Sequence, residues 1–132
     1  HIRENGKLSS HETITNVFEK CKSKSWLGLI TACTSPEITE NVAEEIKELK
    51  IPFGFKANLW KKQPLPVGEI VTFDKDGFGE NPVDILGSRN DITGKKFYDF
   101  AKIMVGKGAT ILGGCCETKP SHINAISKLK QI

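Results

Sequence analysis

Ala109-Thr110-Ile111-Leu112-Gly113-Gly114-Cys115-Cys116-Glu117-Thr118-Lys119-Pro120 holds the signals that decide the fold of this 132-residue chain. Residues 109–112 are a short apolar run of the kind that forms a buried strand. The run passes directly into two glycines, two cysteines and the start of a helix. Thr118 is placed to cap that helix, and Ile123, Ile126 and Leu129 recur at helical spacing on its inward face. In regular strand geometry neighbouring side chains point to opposite faces. Cys115 and Cys116 can therefore face a common point only where the chain leaves that geometry, and Gly113 and Gly114 permit the departure.

The same order of signals appears upstream. Trp26-Leu27-Gly28-Leu29-Ile30-Thr31-Ala32 is a second apolar run, and it ends at Cys33-Thr34-Ser35-Pro36. Thr34 or Ser35 caps the next helix, with Pro36 near its first position. Ile38, Val42, Ile46 and Leu49 form the apolar face of this helix, Lys47 and Lys50 suit its negative end, and Pro52 stops it. Residues 51–59 read as a strand. Before all this, a helix from Ser10 to about Lys22 carries Ile14, Val17, Phe18 and Cys21 on one face, which makes Cys21 a core residue. Residues 93–107 return to helical spacing with Phe97, Phe100, Ala101 and Met104 inward, ending at Gly106 or Gly108.

Between them, residues 60–92 show no period and hold Pro64, Pro66, Gly68, Gly77, Gly79, Pro82 and Gly87, the composition of a long functional or disordered loop. Asp74-Lys75-Asp76-Gly77-Phe78-Gly79 fails as a calcium loop, because its glycine is misplaced and Ile85 stands where the bidentate acid is required. Gly77-Phe78-Gly79 also lacks the third glycine and the strand–helix junction of a dinucleotide loop. Strands alternating with helices imply parallel strands joined by right-handed crossovers. The fold class is therefore α/β, either a small doubly wound sheet or a slice of a (β/α)8 barrel, a whole barrel needing about 250 residues.

Composition narrows the function. A formal charge of +3 with scattered lysines lacks the concentrated basic stripe of a nucleic-acid binder. The longest apolar runs are far too short to cross a bilayer. The opening His1-Ile2-Arg3-Glu4 is no secretory signal, and a first residue other than Met suggests a trimmed chain or a piece of a longer protein. Four cysteines, two of them adjacent, make a poor disulfide framework and point to a reducing, cytoplasmic setting with thiols kept for metal or chemistry.

Cys33 and the Cys115-Cys116 pair each follow the C-terminal end of a predicted parallel strand, the edge at which α/β folds bind ligands. Tetrahedral zinc, with Zn–S bonds of about 2.3 Å, would hold sulfurs about 3.7 Å apart. On pattern alone a three-cysteine metal site and three buried cysteines stand level. A phosphate at the last strand–helix turn is a third alternative. His1, His11 and His122 read as solvated or lightly packed side chains rather than ligands, and Lys61-Lys62 as solvated surface.

The segment from Gly113 to Ile123, Gly-Gly-Cys-Cys-Glu-Thr-Lys-Pro-Ser-His-Ile, resembles the signature of the zinc-dependent homocysteine S-methyltransferase family, of the betaine–homocysteine methyltransferase-like kind. Ile30-Thr31-Ala32-Cys33-Thr34-Ser35-Pro36 is similar to the segment that carries this family's third cysteine, two strands earlier. The resemblance runs from about Asn5 to Leu129. It implies that residues 1–132 are a single partial domain, the C-terminal half of a TIM barrel, with strands six to eight and their flanking helices. It implies a Zn2+ cofactor on Cys33, Cys115 and Cys116, and it matches Asn58 to a position that faces the family's active site, where a substrate contact and a fully structural role stand level. The implied activity moves a methyl group from a small activated donor to the sulfur of homocysteine, giving methionine. The first half of the family's barrel is absent here. Open sheet edges invite pairing, so association with an N-terminal barrel half or with a second copy is expected. A zinc-binding half-barrel that is inactive on its own is the alternative. His11 and Glu117 stand where the family commonly has glycine, which bears on loop shape and not on the ligand set.

Overall fold

The computed structural model describes residues 2–63 and 82–131. A parallel sheet of order β1-β2-β3 is built from Leu29–Thr34, Phe53–Ala57 and Ile111–Gly114. Helices α1 (Ile14–Cys21), α2 (Pro36–Lys47), α3 (Pro82–Leu86), α4 (Gly94–Gly106) and α5 (Pro120–Ser127) accompany it, and a short 3-10 turn, Lys128–Gln131, follows α5. The strands begin later than the apolar runs. The ladders start only where a neighbour is in reach, with Leu29 N–H on Pro52 O at 2.9 Å and Thr110 N–H on Phe53 O at 2.8 Å.

Register and alternation sort the side chains. Thr31, Phe55 and Leu112 share one row, and Ile30, Gly54 and Ile111 share the next. Phe53, Phe55 and Ala57 fall on the face that meets the helices and are buried with Ile46, Phe97, Phe100 and Met104. The Phe55 ring stands 4.7 Å from Phe100 and 6.2 Å from Phe97, the latter nearly perpendicular at 87°, an edge-to-face geometry that aromatic rings favour. The opposite face is different. Ile30 is 48% exposed there, and Ala32 and Lys56 are exposed as well. The helices thus cover one side of this sheet, and among the described residues the outer edges of β1 and β3 have no strand partner.

Several local expectations are corrected. The cap of α1 is Thr13, whose hydroxyl accepts from Asn16 N–H at 3.1 Å, not Ser10. His11, at φ 66°, turns the chain between the two. Cys21 is exposed rather than core. It is the last residue of α1, so the buried stripe ends with Ile14 and Phe18, and Trp26 meets the Phe18 ring edge-on at 5.6 Å. The α5 helix starts at Pro120 with Lys119 as its N-cap. Thr118 has turned back to donate its hydroxyl to Cys115 O at 2.5 Å. His122 is buried, not solvated. Its Nδ1 accepts the Lys119 N–H at 2.8 Å, its Nε2 lies 2.8 Å from Ile92 O, and its ring packs on Phe97. Ile123, expected inside, is 42% exposed. Ser35, one of the two expected caps, caps α2, and Thr93, expected only as the start of a helical stretch, caps α4.

The expected long loop has local order at its ends. Trp60 and Ser88 form an antiparallel bridge, so the chain leaves and returns at one place, with α3 just before the return. The stretch 74–79, weighed as a calcium or dinucleotide loop, lies outside the described residues.

The contact between β2 and β3 needs glycine at 54. A Cβ there would lie 1.8 Å from the Ile111 carbonyl oxygen. Gly54→Ala should lower the urea unfolding free energy by at least about 2 kcal/mol, since backbone cannot move aside as a side chain can. Gly106→Ala, where a Cβ meets nothing within 4 Å, should stay within about 1 kcal/mol of the parent and lean towards greater stability.

Candidate metal centre

Three chain segments meet at the C-terminal edge of the sheet and are tied by backbone hydrogen bonds. Asn58 N–H donates to Thr34 O at 3.0 Å, Cys115 N–H to Ala57 O at 2.8 Å, and Leu59 N–H to Cys116 O at 3.0 Å. Each bond continues the ladder just past the point where strand geometry ends. Cys33 enters this edge as a bulge. Ala32 pairs with Lys56 and Thr34 with Ala57, which leaves Cys33 as the extra residue, at φ 53°. A bulge of this kind re-aims the side chain it carries. Without it, Cys33 would alternate to a face set by its neighbours.

The second approach is built by the turn after β3. A Cβ on Gly114 would lie 2.4 Å from Thr118 Oγ1, so this position admits only glycine while Thr118 folds back onto Cys115 O. Glu117 completes the turn at φ 62°. His11 and Glu117 are both in the left-handed region, which costs a non-glycine residue about 1–2 kcal/mol.

The outcome is a cluster of three sulfurs. Cys33 Sγ lies 4.0 Å from Cys116 Sγ, Cys115 Sγ lies 3.9 Å from Cys116 Sγ, and all three are within 4.8 Å of one another. Two of the three spacings sit within a few tenths of an ångström of the roughly 3.7 Å that tetrahedral zinc–thiolate ligation requires. Cys33 and Cys115 are half-buried and Cys116 is exposed, so the cluster has an open side.

Its electrostatics fit a cation. Burial, followed by the charges of Cys115 and Cys116, pushes the Cys33 thiol up to about 12. Burial pushes Cys115 up as well, but the Cys116 backbone N–H, the Cys33 and Cys116 thiols and the nearby Lys56 charge together draw it below the ordinary thiol value. Negative charge is therefore favoured on Cys115 over Cys33, because like charges this close disfavour each other. A positive ion between them would relieve that repulsion, and these three residues could hold one.

Asn58, expected at the site from the sequence, lies fully buried beneath Cys33. Its Nδ2 faces Cys33 Sγ at 3.9 Å and donates to Gln63 Oε1 at 3.3 Å, and its Oδ1 accepts the Trp60 N–H at 3.2 Å. Gln63 was not singled out from the sequence. It stands in an aperiodic stretch where only folding shows its neighbour. His122 stays away from the sulfurs, bonded to Ile92 O. Of the sequence candidates, the structure thus brings together Cys33, Cys115, Cys116 and Asn58.

The thiolate is the nucleophilic form, so a lower thiol pKa means faster alkylation at a given pH. In the chelator-treated chain at pH 8, iodoacetamide should modify Cys115 more than about ten times faster than Cys33, even after the weaker nucleophilicity of a low-pKa thiolate is counted. Peptide mass spectrometry reads the order, with exposed Cys21 as an internal clock, and equal rates at the two sites would contradict the charge pattern described above.

The chain matches the homocysteine S-methyltransferase family over residues 1–129. A search of curated proteins returned no match. The matched span includes the bulge at Cys33, the Gly-Gly-Cys-Cys turn and the sheet edge between them, and the chain belongs to the homocysteine S-methyltransferase family.

Proposed function

We propose that this chain supplies the zinc-binding part of an enzyme that methylates homocysteine sulfur to give methionine, with Cys33, Cys115 and Cys116 as ligands of Zn2+. The observation that carries this is the convergence of three cysteine sulfurs at the C-terminal edge of a parallel sheet in a member of that family. In the reaction a new S–CH3 bond forms, the bond from methyl to donor breaks with its electron pair leaving on the donor, and the thiol proton is lost. Donors that suit this are a sulfonium, a quaternary ammonium or a methylated cofactor. When bound, zinc supplies a Lewis acid that favours the thiolate of an acceptor whose free thiol, at a pKa of about 8.5, is only a few per cent ionised at pH 7. The chain's own residues set the conditions. Three thiolates leave the centre with net negative charge, which keeps an incoming sulfur electron-rich. The exposed side at Cys116 leaves room for the acceptor to approach. Asn58 keeps its place in this proposal as a residue of the substrate site, on the floor of the cluster.

We further place β1, β2 and β3 as the sixth to eighth strands of a (β/α)8 barrel, with residues 1–132 forming one partial domain. The parallel order, the helices on one face and the exposed residues on the other support this, since a barrel buries its inner face only on closing. The open edges favour the second alternative as well, a zinc-binding piece inactive by itself. A groove of about 680 Å³ beside β3, lined by Val105, Ile111, Leu112, Ile123 and Leu129, offers apolar surface to an N-terminal barrel half or a second copy. Among the described residues no helix is long and apolar enough to cross a membrane. The free thiols suit a cytoplasmic setting.

Metal analysis tests the ligand set. The purified chain should carry about one zinc, and Cys115→Ser should lose it, because a structural or catalytic zinc site keeps at least three protein ligands. Undiminished zinc in that variant would reject the assignment. The 132 residues alone should not methylate homocysteine, whereas measurable turnover by them would show that the site needs nothing further.

A further inference from the structure

Two side-chain amides form a short relay that ends on the sulfur of Cys33. Asn58 is 0% exposed, so its hydrogen-bonding groups must find partners inside the protein. Its Oδ1 accepts the Trp60 N–H at 3.2 Å, and its Nδ2 donates to Gln63 Oε1 at 3.3 Å while facing Cys33 Sγ at 3.9 Å. Gln63 in turn donates from Nε2 to Trp60 O at 3.4 Å.

A carboxamide can turn over and exchange its oxygen and nitrogen. Neither amide can do so here without loss. The Trp60 N–H only donates, so it must meet the Asn58 oxygen. The Trp60 carbonyl only accepts, so it must meet the Gln63 nitrogen. The backbone of one buried residue thus sets the direction of both amides, and the Asn58 N–H left over is the one turned towards sulfur. The bulge brings the Cys33 Cα to the edge, but rotation about χ1 still offers the sulfur three staggered directions. An N–H placed below it favours the direction shared with Cys115 and Cys116, and does so more strongly once the sulfur is a thiolate, because a charged acceptor strengthens the bond.

We propose that Asn58 and Gln63 are positioning residues for Cys33, with the Gln63 amide orienting that of Asn58 so that its N–H holds the Cys33 sulfur within the three-sulfur cluster. This rests on the metal centre proposed above and adds to it an outer layer of the chain's own residues. Gln63 has no bond to any of the sulfurs in the structure, so its removal reports on orientation rather than on lost ligation.

Co2+ is a suitable probe, because its thiolate absorption reports the ligand geometry directly. Titration of the metal-free chain against a competing chelator should show Gln63→Leu binding Co2+ about tenfold more weakly than the parent, the lower end of what loss of such a partner causes. Its thiolate–cobalt band should shift while its urea midpoint stays in place. Asn58→Asp, which keeps the shape and replaces both N–H donors by an acceptor, should weaken binding further. Parental affinity and an unshifted band in Gln63→Leu would overturn the proposal. A parent chain that takes up no Co2+ would instead refute the metal centre. The relay is then judged in the metal-free chain by 15N NMR. Cys33→Ala should move one of the two Nδ2 proton resonances of Asn58 and Cys115→Ala should not, while an unmoved pair in Cys33→Ala would overturn the relay as well.

Discussion

Three backbone hydrogen bonds past the ends of the strands hold this molecule's chemistry in place: Asn58 N–H to Thr34 O, Cys115 N–H to Ala57 O and Leu59 N–H to Cys116 O. A parallel sheet has evenly spaced, slanted bonds, and its chain normally turns away at the C-terminal edge. Here the ladder continues for one more step on each side of β2. Segments that are remote in the sequence are therefore fixed to the same central strand. The sulfurs of Cys33 and Cys116 come within 4.0 Å because both neighbours are anchored to residues 57–59.

That edge is only as firm as the sheet beneath it. Phe53 and Phe55 place large side chains on the helix-facing side of β2, where Phe97 and Phe100 of α4 and Ile46 of α2 close over them. Gly54 lets β2 and β3 approach on the other side. Packing beneath and close approach above together set the register Lys56 to Gly113 and Ala57 to Gly114, which delivers Cys115 to the edge. A slip by one residue would send every side chain of β3 to the opposite face. The salt bridges of Arg89 with Glu37 and Asp91, at 2.7 and 3.0 Å, tie the loop before α4 to the start of α2, on the same side as the cluster. They are partly solvated and contribute modestly.

Much of this architecture was legible in the residues themselves. The apolar runs, the cap at Ser35 and the stop at Pro52 each rest on interactions within a few residues, and local chemistry suffices to read them. The misreadings also have physical causes. Cys21 continued a helical stripe that the chain abandons at Lys22. Thr118 looked like a cap but was drawn back to the Cys115 carbonyl, and His122 looked solvated until Phe97 and Ile92 were brought against it. For Thr118 and His122 the competing partner was distant in sequence or lay across a turn whose backbone angles the residue types do not announce.

By itself, the sequence determined the α/β alternation, the strand-end placement of Cys33 and the Cys115-Cys116 pair, and the resemblance that named a methyltransferase family. All of these follow from residue type and spacing. Only the tertiary structure decided that Cys33 is a left-handed bulge residue, that the three sulfurs share one open-sided cluster, and that Trp60 aligns the amides of Asn58 and Gln63 beneath it. The physical reason is that spacing along a chain specifies which face a side chain prefers. The direction it finally takes at a strand end depends on which backbone groups of other segments remain free to bond there.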